Sequence, residues 1–114
     1  MFKLVLHISD FDKWQVALNN VKNSISVLQI PFKIVIIANV KAVQGYLDPD
    51  IRTQINTLSH QDITFMACEN SLKGQGITHD MLNPADATTI IATTPVAVIA
   101  LVEYQNAGFA YVKP

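Results

Sequence analysis

The most constraining feature of the sequence is the apolar run "IVIIA" at residues 34–38, which follows Pro31 and begins with four β-branched residues. A strand that faces solvent on one side alternates apolar and polar residues, whereas this run is apolar throughout. Such a run is typical of a strand buried on both faces, and strands of that kind belong to parallel sheets covered by helices on both sides. The segment therefore predicts an α/β fold.

The rest of the chain alternates between strand and helix patterns. Five strands are predicted, at residues 2–8, 31–39, 62–67, 87–92 and 109–113. Helical patterns separate them, at residues 10–30, 41–47, 48–58, 69–76 and 95–108. Because the connections are long enough for crossovers, the pattern predicts one α/β domain over residues 1–114, with a five-stranded, mostly parallel sheet.

The helix boundaries are indicated by capping signals. Ser9 or Asp10 precedes the first helix, and its apolar residues recur every three or four positions from Trp14 onward. Asp48-Pro49 and Thr94-Pro95 each resemble a cap followed by proline in the first helical position. The last of these helices is apolar on nearly every side, so one face is expected to pack on the sheet and the other on a neighbouring subunit.

Composition argues for self-association as well. Half of the 114 residues are hydrophobic and only 15% are charged, an apolar balance for one small domain. Exposed apolar surface of that extent usually marks an interaction site. We therefore expect a homo-oligomer.

Charge and hydropathy exclude two classes of partner. The net charge is −1 and the eight cationic residues are scattered, so no basic patch for nucleic acid is predicted. The longest apolar run, residues 87–102, is shorter than the roughly 20 residues that a membrane span needs. One cysteine and no glycosylation sequon favour a cytoplasmic protein in a reducing setting.

Chemically useful side chains are predicted to gather where the parallel strands end. In open parallel sheets, ligands bind beyond the carboxyl ends of the strands. His7, Ser9 and Asn39 end the first two predicted strands. Cys68 and Asn70 follow the third, and Thr94 follows the fourth. The sequence thus predicts a pocket with Cys68 as its reactive group and His7, Asn39, Asn70 and Thr94 as its binding residues.

Two interpretations of Cys68 remain open from the residues alone. A cysteine between a strand and a helix lies near helix amides that favour the thiolate, and this hypothesis expects the sulfur to be uncovered. The alternative is that Cys68 simply packs in the core, because free cysteine is among the most buried residue types. His7 has a similar alternative as a hydrogen-bonded structural residue.

Other motifs give no sign of a cofactor. The chain has no Cys-x-x-Cys or His-x-x-x-His spacing, so no metal site is predicted. The glycines of "KGQGI" follow a short helix and lack the spacing of a phosphate-binding loop. We therefore expect neither a metal nor an organic cofactor.

Several segments together resemble the small stand-alone members of the DsrE/DsrF-like family. They are "LVLHISDFDKWQVALNNVKN", "IVIIAN", "FMACENSLKGQGI" and "GFAYVKP". The resemblance implies a flavodoxin-like three-layer sandwich and a homo-oligomer, either a trimer or a hexamer of stacked trimers. It also implies that Cys68 accepts sulfane sulfur as a persulfide and exchanges it with a donor or acceptor protein.

Three functions are consistent with these observations. The first is sulfur handling, with Cys68 as the nucleophile. The second is a non-catalytic module that binds a small ligand or a partner in the same pocket. The third is a purely structural oligomer in which Cys68 has no special reactivity.

Overall fold

The computed structural model describes all residues from Met1 to Pro114 and contains five strands and five α-helices. The strands are β1 (Phe2–Ile8), β2 (Phe32–Ala38), β3 (Ile63–Cys68), β4 (Ala92–Thr94) and β5 (Ala110–Val112). The helices are α1 (Trp14–Val27), α2 (Pro49–Thr57), α3 (Glu69–Gly74), α4 (His79–Leu82) and α5 (Ala97–Asn106). Two 3-10 segments, Phe11–Lys13 and Val40–Leu47, precede α1 and α2.

The five strands form a single sheet in the order β4-β3-β2-β1-β5. Every neighbouring pair is parallel. The prediction of an α/β fold with a mostly parallel sheet is confirmed, and the sheet is in fact parallel throughout. Strands β1 to β4 lie side by side in chain order. The chain then crosses back over the sheet, so that β5 pairs with the free edge of β1.

The larger core lies on the face covered by α1 to α4. Strand residues such as Leu6, Ile36 and Phe65 point into it from alternate positions. Trp14 and Leu18 of α1 and Ile55 of α2 pack against them, all with almost no solvent exposure. This face accounts for most of the buried apolar surface and so for most of the hydrophobic stabilisation.

The opposite face is covered by α5 alone. Its core contains only seven buried residues: Val5, Val35, Ile37, Cys68, Ala97, Ala100 and Leu101. The two helical layers with the sheet between them give the three-layer sandwich that the sequence resemblance implied. None of the five α-helices combines the length and the hydropathy that a membrane-spanning helix requires.

The connection before β4 was predicted incorrectly. Residues 87–92 were expected to form the fourth strand, but β4 contains only Ala92–Thr94. The backbone before it bonds to side chains: Asn83 makes two hydrogen bonds with the main chain of Ile91, and the Arg52 guanidinium donates to Thr89 O at 2.7 Å. These groups are therefore not free to pair with β3.

The start of α5 also differs from the prediction. Thr94 was expected to cap this helix and Pro95 to begin it, yet Thr94 is the last residue of β4, paired with Cys68. The N-cap is Val96, whose side chain makes no capping bond. A short helix that the sequence did not reveal, α4, begins at His79 and is capped by Thr78, whose side chain accepts a hydrogen bond from the Met81 N–H.

A glycine allows the 3-10 segment before α2 to approach α1. A Cβ atom at Gly45 would overlap the Trp14 indole ring. Trp14 is held there because its Nε1 donates to Ala42 O at 2.7 Å and its ring packs edge-on against Tyr46. The indole leaves no room for a side chain at residue 45.

We predict that Gly45→Ala lowers the free energy of unfolding by about 3 kcal/mol, because overpacking a buried ring forces strain on its neighbours. Gly74→Ala is the matched control, since a Cβ there meets nothing within 4 Å. In urea denaturation the control should change stability by no more than about 1 kcal/mol, in the stabilising direction. Equal behaviour of the two variants would contradict the predicted overlap.

Candidate thiol site at the carboxyl edge of the sheet

The strand register brings Cys68 beside two of the predicted binding residues. Thr94 is its direct partner on β4. Ala38 pairs with Ala67, so Asn39 lies in the next register position, beside Cys68. Because paired residues of adjacent strands point to the same face, all three belong to the α5 side of the sheet. This part of the predicted pocket is therefore assembled at the carboxyl edge.

His7 belongs to a hydrogen-bonded polar cluster on the β1 side of this edge. Its Nε2 lies 3.0 Å from Asn39 Oδ1 and 3.2 Å from Ser9 Oγ, and Ser9 donates to Asn39 Oδ1 at 2.9 Å. Its Nδ1 lies 2.8 Å from the Tyr111 hydroxyl. Since an amide oxygen only accepts, these contacts fit a ring protonated at Nε2 that accepts the Tyr111 proton at Nδ1.

The environment of His7 favours the neutral imidazole. Burial lowers the pKa of His7, the hydrogen bond to Asn39 raises it, and the positive charge of Lys113 lowers it. The net pKa is below the ordinary value of 6.5. His7 is therefore mainly uncharged at neutral pH and does not supply a fixed positive charge to the edge.

His7 does not contact Cys68. It lies on β1, two strands away from β3, which places the two backbones roughly 10 Å apart at a strand spacing of about 4.8 Å. Tyr111, which the sequence gave no reason to select, completes the His7 cluster from β5. Asn70 is exposed on α3, and its side chain makes no hydrogen bond within the protein. The predicted pocket is thus divided into a histidine cluster and a thiol site.

Cys68 lies at the predicted junction between a strand and a helix. It is the last residue of β3 and the N-cap of α3. The expectation that its sulfur is uncovered is wrong for this chain, because Cys68 is only 4% exposed. It packs in the smaller core with Ala97 of α5 and Ile37 of β2. The side chain therefore has both the burial of a core cysteine and the position of a capping residue.

Two opposing effects act on the thiol. Burial raises the pKa of Cys68, because a thiolate is poorly solvated in an apolar core. The backbone N–H groups of Ser71 and Ala97, the Ser71 hydroxyl and the Asn70 N–H lower the pKa. Their combined effect exceeds that of burial, so the net pKa lies below the ordinary value. These donors come from the first turns of α3 and α5, both of which start beside the sulfur.

Ser71 is a site residue that the sequence interpretation missed. It is the third residue of α3, and an N-cap side chain ordinarily meets the amide of that position, which makes the spacing Cys68-x-x-Ser71 the available signal. The Ser71 oxygen accepts a hydrogen bond of 2.7 Å from the Val40 N–H. With that lone pair occupied, the hydroxyl proton is free to point towards the sulfur.

Val40 has a strained backbone at this junction. Its φ of +51° is unfavourable for a β-branched residue. Two side chains from the segment after Cys68 stabilise the backbone of Val40. Ser71 Oγ accepts a hydrogen bond from the Val40 N–H, and Gln75 Nε2 donates to the Val40 carbonyl at 2.6 Å. Since Asn39 precedes Val40 directly, the strained residue connects the His7 cluster to the thiol site. Backbone strain of this kind is often found at functional sites.

Comparison with known proteins agrees with this architecture. Residues 16–114 match the model of the DsrE/DsrF-like family. Among curated proteins, none matches the chain. A protein of unknown function from Methanobacterium thermoautotrophicum, MTH1491, is 25% identical with a TM-score of 0.85, and the match covers 100% of both chains. The ychN protein of E. coli is 12% identical with a TM-score of 0.69, again over 100% of both chains, and shows the same fold.

We predict that Ser71→Ala raises the pKa of the Cys68 thiol, because it removes a hydroxyl donor from the thiolate while leaving the backbone donors. At neutral pH the fraction of thiolate should fall. Since the chain has one cysteine, the ultraviolet absorbance of the thiolate, followed against pH and corrected with Cys68→Ser, reports this group alone.

Ser26→Ala is the matched control, because Ser26 is exposed on α1 and bonds only to Asn23 O. Ser71→Thr keeps a hydroxyl and should restore most of the lowered pKa. An unchanged titration in Ser71→Ala would show that the hydroxyl has no influence on the sulfur.

Proposed function

We propose, from the premise that the chain belongs to the DsrE/DsrF-like family, that it carries sulfane sulfur as a persulfide on Cys68. The observation that best supports this role is the set of N–H and O–H donors around a single buried thiol, which lowers its pKa despite burial. A thiolate is the nucleophile in sulfur chemistry, so this environment increases the reactive form at neutral pH.

In the proposed reaction the Cys68 thiolate attacks the outer sulfur of a persulfide donor, R–S–SH. A bond forms between Cys68 Sγ and that sulfur, the S–S bond of the donor breaks, and R–S⁻ leaves. The proton remains on the transferred sulfur, so Cys68 becomes Cys–S–SH without net oxidation. Transfer to an acceptor thiolate follows the same steps in reverse.

The surrounding residues would have distinct roles in this reaction. The helix amides stabilise the negative sulfur before and after transfer. Thr94 and Asn39 would adjoin the reacting sulfur, whereas His7 and Asn70 would form the outer part of the binding surface. Because there is no second cysteine to release the sulfur, the acceptor must be another molecule. A compartment that keeps the thiol reduced, such as the cytoplasm, suits this cycle.

The proposal is tested by treating the intact protein with an inorganic polysulfide and determining its mass. We expect the wild type to gain the mass of one sulfur atom, released by a reducing agent, because Cys68 supplies the thiolate. Cys68→Ser should gain none. Equal gain by the two proteins would place the sulfur elsewhere and contradict the proposal.

A second candidate is a module that binds a small ligand without covalent chemistry. The 4% exposure of Cys68 favours it, since a covered sulfur reacts slowly with bulky reagents. In that case the wild type would gain no sulfur, and Cys68→Ala would bind the ligand as well as the wild type. The mass measurement therefore separates the two candidates.

We also propose that the chain forms a homo-oligomer through α5. Val98, Ile99 and Val102 form an apolar stripe on the solvent side of this helix and are 50–60% exposed. Since α5 is the only helix on its face of the sheet, nothing within the chain covers the stripe. A second copy would bury it, which agrees with the apolar composition of the chain.

We predict that Val98→Glu combined with Val102→Glu shifts the assembly to monomers, because a charge at the centre of an apolar interface is left unpaired. Light scattering at micromolar concentration measures the mass. Val27→Glu is the control, because it places the same charge at an exposed valine of α1, on the opposite face of the sheet, and it should assemble like the wild type. A wild-type monomer at this concentration would refute the oligomer.

A further inference from the structure

An open cavity adjoins the thiol site on the α5 side of the sheet. Its volume is about 310 Å³, enough for one small molecule. It is lined by Met66, Thr93, Thr94, Pro95, Ala100, Glu103 and Tyr104. Met66 lies two residues before Cys68 on β3, so both side chains point to the same face of the sheet. Thr94 is the residue paired with Cys68 on β4. The cavity is therefore lined by neighbours of Cys68, although Cys68 itself does not line it.

The inner end of the cavity presents a polar group without a partner. Thr94 is 9% exposed and is the only polar residue among the buried residues of the chain. Its side chain makes no hydrogen bond within the protein, and its hydroxyl oxygen stays accessible at the cavity wall. Since Thr94 lines the cavity, the hydroxyl is available to a molecule that occupies it.

The outer part of the cavity carries one negative charge. Glu103 has no cationic partner, because the only ion pair in the structure is that between His79 and Glu69. Burial raises the pKa of the Tyr104 phenol, and the negative charge of Glu103 raises it further. No lysine, arginine or histidine lines the cavity. Its electrostatic character therefore favours a cation.

We infer that this cavity binds a small aminothiol, a thiol bearing a protonated amine, whose sulfur lies at the Thr94 end and whose ammonium group lies at Glu103. This inference rests on the proposed function, because it identifies the class of small molecule that exchanges sulfur with Cys68. The donor is the hydropersulfide of the aminothiol, and the thiolate of the aminothiol is the leaving group.

The spacing along α5 suits a molecule of this size. Glu103 lies six residues beyond Ala97, about 9 Å along the helix axis at 1.5 Å per residue. Helical side chains lean towards the N-terminus, which brings the carboxylate back towards the thiol end. A simple aminothiol has two carbons between its sulfur and its nitrogen. The length of such a molecule, added to a sulfur contact at one end and a hydrogen bond at the other, spans that distance.

Methionine methyl groups provide a direct test of binding. The chain contains Met1, Met66 and Met81, and only Met66 lines this cavity. The test uses Cys68→Ser protein with labelled methionine methyl groups, titrated separately with cysteamine, 2-mercaptoethanol and mercaptoacetate. These three thiols are similar in size but positive, neutral and negative, and the variant cannot form mixed disulfides with them.

We expect cysteamine to shift the Met66 signal alone and to bind about two- to fivefold more tightly than 2-mercaptoethanol, the gain expected from one exposed charge pair. Mercaptoacetate should bind more weakly than either. Adding Glu103→Gln should abolish the preference for cysteamine. Adding Asp12→Asn, which removes the same charge from an exposed turn before α1, should leave the preference intact. The Met1 and Met81 signals report that each variant is folded.

The inference is overturned if Met66 does not respond, if the three thiols bind equally, or if Glu103→Gln keeps the preference. The proposed function fails differently, namely if wild-type protein gains no sulfur from polysulfide. Sulfur gain at Cys68 without a Met66 response would leave the persulfide role standing and exclude the aminothiol. A Met66 response without sulfur gain would leave a binding site for aminothiols and exclude the carrier.

Discussion

The structure depends on covering both faces of the central strands with helical layers of unequal size. Four helices and two 3-10 segments cover one face, whereas a single helix of ten residues covers the other. The first face can exclude water completely. On the second face, α5 covers only a strip of the sheet. The residues capable of chemistry lie beside this helix. Both the buried thiol and the cavity beside it follow from this inequality.

The position of α5 also explains how a covered sulfur keeps a lowered pKa. An apolar core alone would favour the neutral thiol. Here the strand that ends at Cys68 leads directly into α3, and the neighbouring strand β4 is followed closely by α5. The first amides of both helices have no partner within their own helix, so they are free to stabilise negative charge on the sulfur. Thus α5 limits access to the sulfur by burying it, and the amides at the starts of α3 and α5 favour the thiolate.

The bend at Val40 links this site to the other polar cluster. A non-glycine residue with positive φ costs roughly 1–3 kcal/mol. The hydrogen bonds to Ser71 and Gln75 each contribute about 1 kcal/mol and so offset much of that cost. Because the same backbone turn follows Asn39, the geometry of the His7 cluster and that of Ser71 are coupled through a single residue. Tyr111 extends this cluster to the far strand of the sheet.

The sequence by itself determined the fold class, the strand order along the chain and the junction at Cys68, because hydrophobic periodicity and helix caps are local signals. It also selected His7, Asn39 and Thr94, since strand ends can be located from the same patterns. Tertiary structure alone decided the short β4, where side chains of Asn83 and Arg52 take the backbone bonds that a longer strand would need. It likewise decided the burial of Cys68, the contact of Ser71 with Val40 and the addition of Tyr111 to His7. These depend on which segments meet across the sheet, and sequence spacing holds no information on contacts between distant segments.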